Sequence, residues 1–283
     1  MHNTCSLQFL RGWKHDFESK FIFSAGGNVR GIMETTTKYK SNIEVVSDPE
    51  SVAQNTLKIF IAEAQKAIKT KDVFYVAISG GNTPKRFFEL LAETPQANSL
   101  PWDKIQLFWV DERYVHPESE WSNYKLAADT FLSRVAIPEA NVHRIPTELD
   151  DFKAAAHCYE DTIREVFGLG AGKVPEFDLI LLGMGSDGHT GSLFPNSYAA
   201  FDTEDLACVV YVLDEKLNRI TLTHPVLRAA CHLVVLVCGH EKSDILKTVL
   251  TSEPDEVRYP IHVLWPILDR VTWLIDTAAA KAL

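Results

Sequence analysis

The sequence predicts an α/β protein, with a mostly parallel β-sheet flanked by helices. Two observations carry that prediction. From Ile43 onward, short apolar runs alternate with helix-length amphipathic stretches, the pattern of strands joined by crossover helices. Several of these runs are close to continuously apolar rather than alternating, as strands buried on both faces are. At 283 residues the chain can bury a sizeable core. No internal repeat, low-complexity tract or Pro/Ser-rich linker follows residue 40, so a single Rossmann-like domain over residues 41–283 is the simplest organisation.

Taken in order, residues 1–40 carry aromatic and basic residues without period, then Gly26, Gly27 and Gly31, then a Thr/Lys stretch. Lacking a periodic apolar face to dock, they are expected to form a flexible N-terminal extension. Candidate strands follow at residues 43–46, 73–79, 105–110, 177–182, 233–238 and 271–275. Between them, residues 52–69 place Val52, Leu57, Phe60, Ile61, Ala64 and Ile68 near helical spacing, and residues 154–167 do likewise. Both stretches should be helices packed on the sheet.

Composition narrows the function. Hydrophobic residues make up 46% and charged residues 23%, ordinary globular usage. A formal charge of -10 opposes nucleic-acid binding. It also repels small anions, so a phosphate site here must be a local set of donors that overcomes the global field. The five cysteines include no CxxC pair and no metal-ligand spacing with the histidines, which reads as reduced intracellular thiols. No apolar run approaches the roughly 18 residues of a membrane span, and the first residues lack a signal peptide's apolar segment. A cytoplasmic protein with neither membrane nor nucleic-acid partner is expected, as a monomer or weak homo-oligomer.

Three segments carry chemistry, each at the end of a candidate strand. The first is Ser79-Gly80-Gly81-Asn82-Thr83-Pro84, ahead of a helical stretch at residues 85–92. Two glycines allow close backbone approach to an anion, Asn82 or Thr83 can cap, and Pro84 suits the first helical turn. The simpler alternative is a plain strand-to-helix turn. The second is Asp111-Glu112-Arg113, where Arg113 can bind an anion or polarise a carbonyl, and Asp111 or Glu112 can contact sugar hydroxyls or hold Arg113. A surface ion pair is the alternative. Ser122-Asn123-Tyr124, downstream, reads as a helix cap. The third runs from Gly183 to Pro195, a glycine-rich loop bearing Asp187 and His189. It offers several backbone amides and one group that titrates near neutral pH, the ingredients of base-assisted attack with a stabilised oxyanion.

SGGNTP, DERYV followed by SNY, and LLGMGSDGHTGSLFP occur in the order found in 6-phosphogluconolactonases, which this chain resembles from about residue 43 to its end. Asn218 to Thr223, Cys238 to Lys242 and Trp273 to Asp276 add to the likeness. The wider superfamily includes glucosamine-6-phosphate deaminases. These carry an Asn-Glu pair before the loop's proline, where this chain has Leu193-Phe194. Departures from the lactonase pattern, at His116, Trp121 and Gly191, remove no proposed chemical group.

The resemblance implies hydrolysis of 6-phospho-D-glucono-1,5-lactone to 6-phospho-D-gluconate in the oxidative pentose phosphate pathway, with neither metal nor organic cofactor. His189 would be the base, oriented by Asp187 or Asp111. The phosphate would rest on Ser79, Gly80, Gly81, Asn82 and Thr83 with help from Arg219 and Lys242, leaving Arg113 for the oxyanion or the phosphate. The alternatives are a deaminase or isomerase on the same scaffold, and a non-catalytic sugar-phosphate sensor.

Overall fold

The computed structural model describes residues 20–23, 29–34, 40–212 and 217–283. The chain opens with three strands, β1 (Lys20–Phe23), β2 (Val29–Glu34) and β3 (Lys40–Val46). Helix α1 (Pro49–Lys71) leads to β4 (Phe74–Ile78), then α2 (Asn82–Glu93) and the short α3 (Pro95–Asn98). Next come β5 (Ile105–Trp109), β6 (Asp111–Arg113), α4 (Asn123–Thr130), β7 (Val142–His143) and α5 (Phe152–Phe167). The second half holds β8 (Leu179–Gly183), β9 (Ala207–Val210), β10 (Arg219–Leu222), α6 (His224–Ala229), β11 (Leu233–Val237), α7 (Ser243–Thr251) and β12 (Val271–Asp276).

The main sheet runs in the order β1-β2-β3-β12-β11-β8-β4-β5-β7. Every pairing from β3 to β7 is parallel, and all six candidate strands lie in that run. Their continuous apolarity is explained by cover on both faces. Phe60 of α1 meets Phe74 edge-on at 5.4 Å and Phe87 of α2 at 5.6 Å. On the opposite face Phe108 packs near Tyr159 of α5, and Tyr75 stacks on Phe167 at 4.1 Å. Every residue of β11 and β12 is buried.

The two anticipated helices form because their ends are specified locally. Asp48 caps α1 by accepting from Ser51 N, Pro49 starts its first turn, and Asp72 closes it in the left-handed region at φ 63°. Asp151 caps α5 by accepting from Lys153 N and Ala154 N, and Gly168 ends it.

Of the expected N-terminal extension, residues 1–19, 24–28 and 35–39 lie outside the described residues. Its described stretches, β1 and β2, form an antiparallel hairpin that pairs with β3 at the sheet edge. A second, three-stranded antiparallel sheet, β6-β10-β9, has no counterpart in the sequence reading. Its strands are only three or four residues long, too short to show a period.

One feature of the topology fixes where a ligand can sit. From β4 the chain moves toward β5 and β7, whereas from β8 it moves the other way toward β11 and β12. The loops leaving the C-terminal ends of the neighbours β4 and β8 therefore diverge and open a crevice, the position where open α/β sheets bind ligands.

Candidate active site

A cleft of about 460 Å³ occupies that crevice, walled by the loops after β4 and β8, the strand β6, and the turn after β11. Ser79, Gly80, Gly81, Asn82, Thr83, Asp111, Arg113, His189, Arg219 and Lys242 all line it. Of the residues given a chemical role in the sequence, Asp187, which lies behind His189, and Glu112 stand outside the lining.

On the first wall, neither Asn82 nor Thr83 caps α2, contrary to expectation. Gly81 holds the N-cap position at φ 100°, a conformation that favours glycine, and no side chain accepts from the first-turn amides. These N–H groups are left for an acceptor in the cleft, with the helix dipole behind them. Ser79 Oγ is buried and makes no hydrogen bond within the protein.

On the second wall, β6 pairs antiparallel with β10 so that Arg113 stands directly opposite Arg219. Two guanidinium groups are thereby held side by side, and among the described residues neither has a salt bridge to a carboxylate. Burial, and then the charge of Arg113, push the Arg219 pKa below its ordinary value. Arg219 Nη1 is buried without a hydrogen-bond partner. Such a pair is stabilised by a bound anion.

Glu112 does not take the role foreseen for it. It is 2% exposed and turned away from the cleft, accepting from Arg113 N, Asn123 N, Tyr124 N and Ser122 Oγ at 2.7–2.9 Å. The carboxylate thus anchors the start of α4, and burial raises its pKa. Asp111 accepts from Ser192 Oγ at 2.6 Å, so the orienting of His189 falls to Asp187.

The third wall carries that dyad. Asp187 Oδ1 accepts from His189 Nδ1 at 2.6 Å and from His189 N at 3.1 Å. Burial pushes the Asp187 carboxyl up, but the hydrogen bonds and charge of His189 outweigh it and bring the pKa down to about 2. An ionised carboxylate can only accept, so Nδ1 carries a ring proton, and in the neutral imidazole Nε2 is the atom with the lone pair. The loop is built around this contact. Gly185 N donates to His189 O at 2.8 Å, and a Cβ at Gly185 would overlap the imidazole. The Phe194 ring packs 4.7 Å from it.

Lys242 ends the 3₁₀ turn His240–Lys242 after β11 and faces the same cleft, beside Glu241 and Cys238. Asn123 and Ser192 also line the cleft; the sequence reads Asn123 as part of a helix cap and gives Ser192 no role. Asn123 was hidden because a Ser-Asn pair at a helix start is common capping chemistry, and Ser122 does cap α4. Among the described residues no group of three or more His, Cys, Asp and Glu side chains could hold a metal ion.

Residues 47–273 match the sequence model of a family described as glucosamine-6-phosphate isomerases/6-phosphogluconolactonase. A 6-phosphogluconolactonase of Nostoc sp. is 37% identical over 244 residues, which cover 86% of this chain and 99% of that protein. A crystal structure of devB protein superposes with a TM-score of 0.77 at 32% identity, covering 86% of this chain and 99% of that one. The 6-phosphogluconolactonase from Trypanosoma cruzi gives a TM-score of 0.75 at 28% identity, over 87% of this chain and 98% of that one.

Proposed function

Because this chain belongs to the glucosamine-6-phosphate isomerase/6-phosphogluconolactonase family, we propose that it hydrolyses 6-phospho-D-glucono-1,5-lactone to 6-phospho-D-gluconate in the oxidative pentose phosphate pathway. The observation that carries this reading is the Asp187–His189 dyad at 2.6 Å, set in a cleft whose other walls present the unpaired cations Arg113 and Arg219. A base and an anion cradle in one crevice are what a phosphorylated lactone requires.

The phosphate rests on the first-turn amides of α2, with Ser79 Oγ, Arg219 and Lys242 completing the cradle. The neighbouring Arg113 adds its charge there. His189 Nε2 takes a proton from a water whose oxygen attacks the ring carbonyl carbon. The resulting tetrahedral oxyanion collapses with cleavage of the bond between C1 and the ring oxygen. That oxygen leaves with the proton returned by His189, and the new carboxylic acid ionises. Asp187 fixes the tautomer and stabilises the imidazolium formed in between. Six-membered lactones open slowly on their own, so one positioned base suffices and no serine nucleophile is needed.

Two apolar residues argue against the deaminase alternative. Leu193 is buried and Phe194 lies against His189, so neither can relay a proton to an amino leaving group. The presence of a complete dyad argues against a sensor. All the lining residues fall between Ser79 and Lys242, which supports residues 41–283 as the catalytic unit and the first 40 residues as dispensable for turnover. No helix among the described residues is long and apolar enough to cross a membrane, and Cys158, Cys208, Cys231 and Cys238 are free thiols. Both facts fit a cytoplasmic setting.

The test is acid release from freshly prepared 6-phosphogluconolactone, corrected for spontaneous opening, with glucosamine 6-phosphate as parallel substrate. Acid release well above background, without ammonia, is expected. Ammonia from glucosamine 6-phosphate would place the chain in the deaminase branch. Tight binding of 6-phosphogluconate without accelerated hydrolysis would make it a sensor.

A further inference from the structure

We infer that Asn123 is a positioning residue for the phosphate cradle: it locks the head of Arg113 against the Gly80 turn, so that two separate chain segments present their donors to one anion. The inference rests on the lactonase reading for the identity of the anion, and on geometry for everything else.

Asn123 is 2% exposed and is the first residue of α4, next to the Ser122 cap. Its backbone N–H donates to Glu112 at 2.7 Å, so the residue is pinned before its side chain does anything. The side-chain amide then bridges. Oδ1 accepts from Arg113 Nη1, while Nδ2 donates to Asp111 O at 2.8 Å. The second bond settles which amide atom points where, because a backbone carbonyl can only accept. On its other side Asn123 packs against Gly80 so closely that a Cβ there would overlap Oδ1. One side chain therefore touches the loop after β4 and the strand after β5.

The functional content lies in what Arg113 would do otherwise. It faces Arg219 across the antiparallel ladder, and neighbouring like charges repel. A long, flexible guanidinium with no carboxylate partner would swing away toward solvent. Asn123 supplies a neutral acceptor, which holds the group in place without neutralising it. A carboxylate at that position would also accept from Arg113, but it would cancel the charge the anion needs and could not donate to Asp111 O. This accounts for an amide, rather than an acid, between Arg113 and the phosphate turn.

The experiment reads binding rather than turnover, using inorganic phosphate and 6-phosphogluconate as titrants. In Asn123→Ala, Kd for both should rise about tenfold or more, the usual order when a charge-assisted bond is disordered. The kcat for the lactone should stay within about threefold, because His189 is untouched. In an Arg113→Ala background, the same substitution should add less than about threefold, since its target is gone. Asn123→Asp keeps size and hydrogen bonding to Arg113, and it suits a helix start. It should also weaken phosphate, more at low salt than at high salt. A Kd within about twofold of wild type in both variants would overturn the inference. So would an Asn123→Ala effect that persists in full without Arg113, or one that lowers kcat and thermal stability in step with affinity. Because phosphate binding is measured without chemistry, a protein lacking lactonase activity would still decide the question.

Discussion

Arg219→Met isolates the charge of the cradle from its packing. Methionine keeps the length and most of the volume of the side chain but removes the guanidinium. In the folded protein that guanidinium is held at a cost: it is largely buried, it faces Arg113, and both effects depress its pKa. One of its nitrogens makes no hydrogen bond within the protein. Removing the charge should therefore leave the melting temperature unchanged or raise it. Phosphate binding should suffer, because a charge-assisted hydrogen bond contributes about 1.5–3 kcal/mol, which is roughly a 10- to 150-fold rise in Kd. Titration calorimetry with 6-phosphogluconate measures that change. A parallel KM comparison between 6-phosphogluconolactone and unphosphorylated D-glucono-1,5-lactone assigns it to the phosphate. Equal weakening of both lactones would refute the reasoning. A fall of many degrees in melting temperature would show instead that Arg219 is a structural member of the β6-β10-β9 sheet.

Two further outcomes follow from residues outside the dyad. Burial brings the His143 pKa down to about 4, where its ring stacks on Phe108 at 4.5 Å and Nε2 meets Gln106 Oε1 at 2.6 Å. The unfolded chain takes up a proton there near pH 6.5 and the folded chain does not, so stability should fall as pH drops from about 6.5 to about 4 and level off below. Denaturant melts of wild type and His143→Phe across that window should show the wild type losing more, and parallel losses would contradict the assignment. Cys238 lines the cleft, yet burial and the charges of Asp276 and Glu241 push its pKa up to about 12. Iodoacetamide at neutral pH should therefore spare it and leave activity intact while modifying the exposed Cys158. Rapid inactivation that 6-phosphogluconate prevents would show a reactive thiol in the cleft.

The parts of the molecule that were legible in the sequence are those written in contiguous residues. Runs such as 233–238, and 271–275 apart from Thr272, are apolar throughout because helices cover both faces of the sheet, and that burial leaves a signal readable without coordinates. The glycine-rich loop that bears Asp187 and His189 was legible for a similar reason, whereas the choice of Asp187 over Asp111 as the partner of His189 came from the hydrogen bond between them. What the sequence concealed is tertiary. Arg113 and Arg219 become partners only through the pairing of β6 with β10, strands too short to announce themselves. Glu112 looked like a sugar ligand from its place after a strand, but the β6 backbone turns it toward the start of α4. Asn123 carried an ordinary capping signature, and its contacts with Arg113, Asp111 and Gly80 depend on segments 10 to 43 residues away.

The central claim is that His189 is the base and that binding resides elsewhere, in donors from other elements. His189→Asn tests it most directly, since asparagine has similar reach but cannot accept a proton near neutral pH. Hydrolysis of 6-phosphogluconolactone, measured by acid release with the spontaneous rate subtracted, should fall about 100- to 10,000-fold. The Kd for 6-phosphogluconate, measured on the same sample, should stay within about threefold, because the cradle formed by the α2 amides, Arg219 and Lys242 is intact. Turnover retained within a few-fold of wild type would contradict the account, making another group the base and His189 a scaffold for the glycine loop.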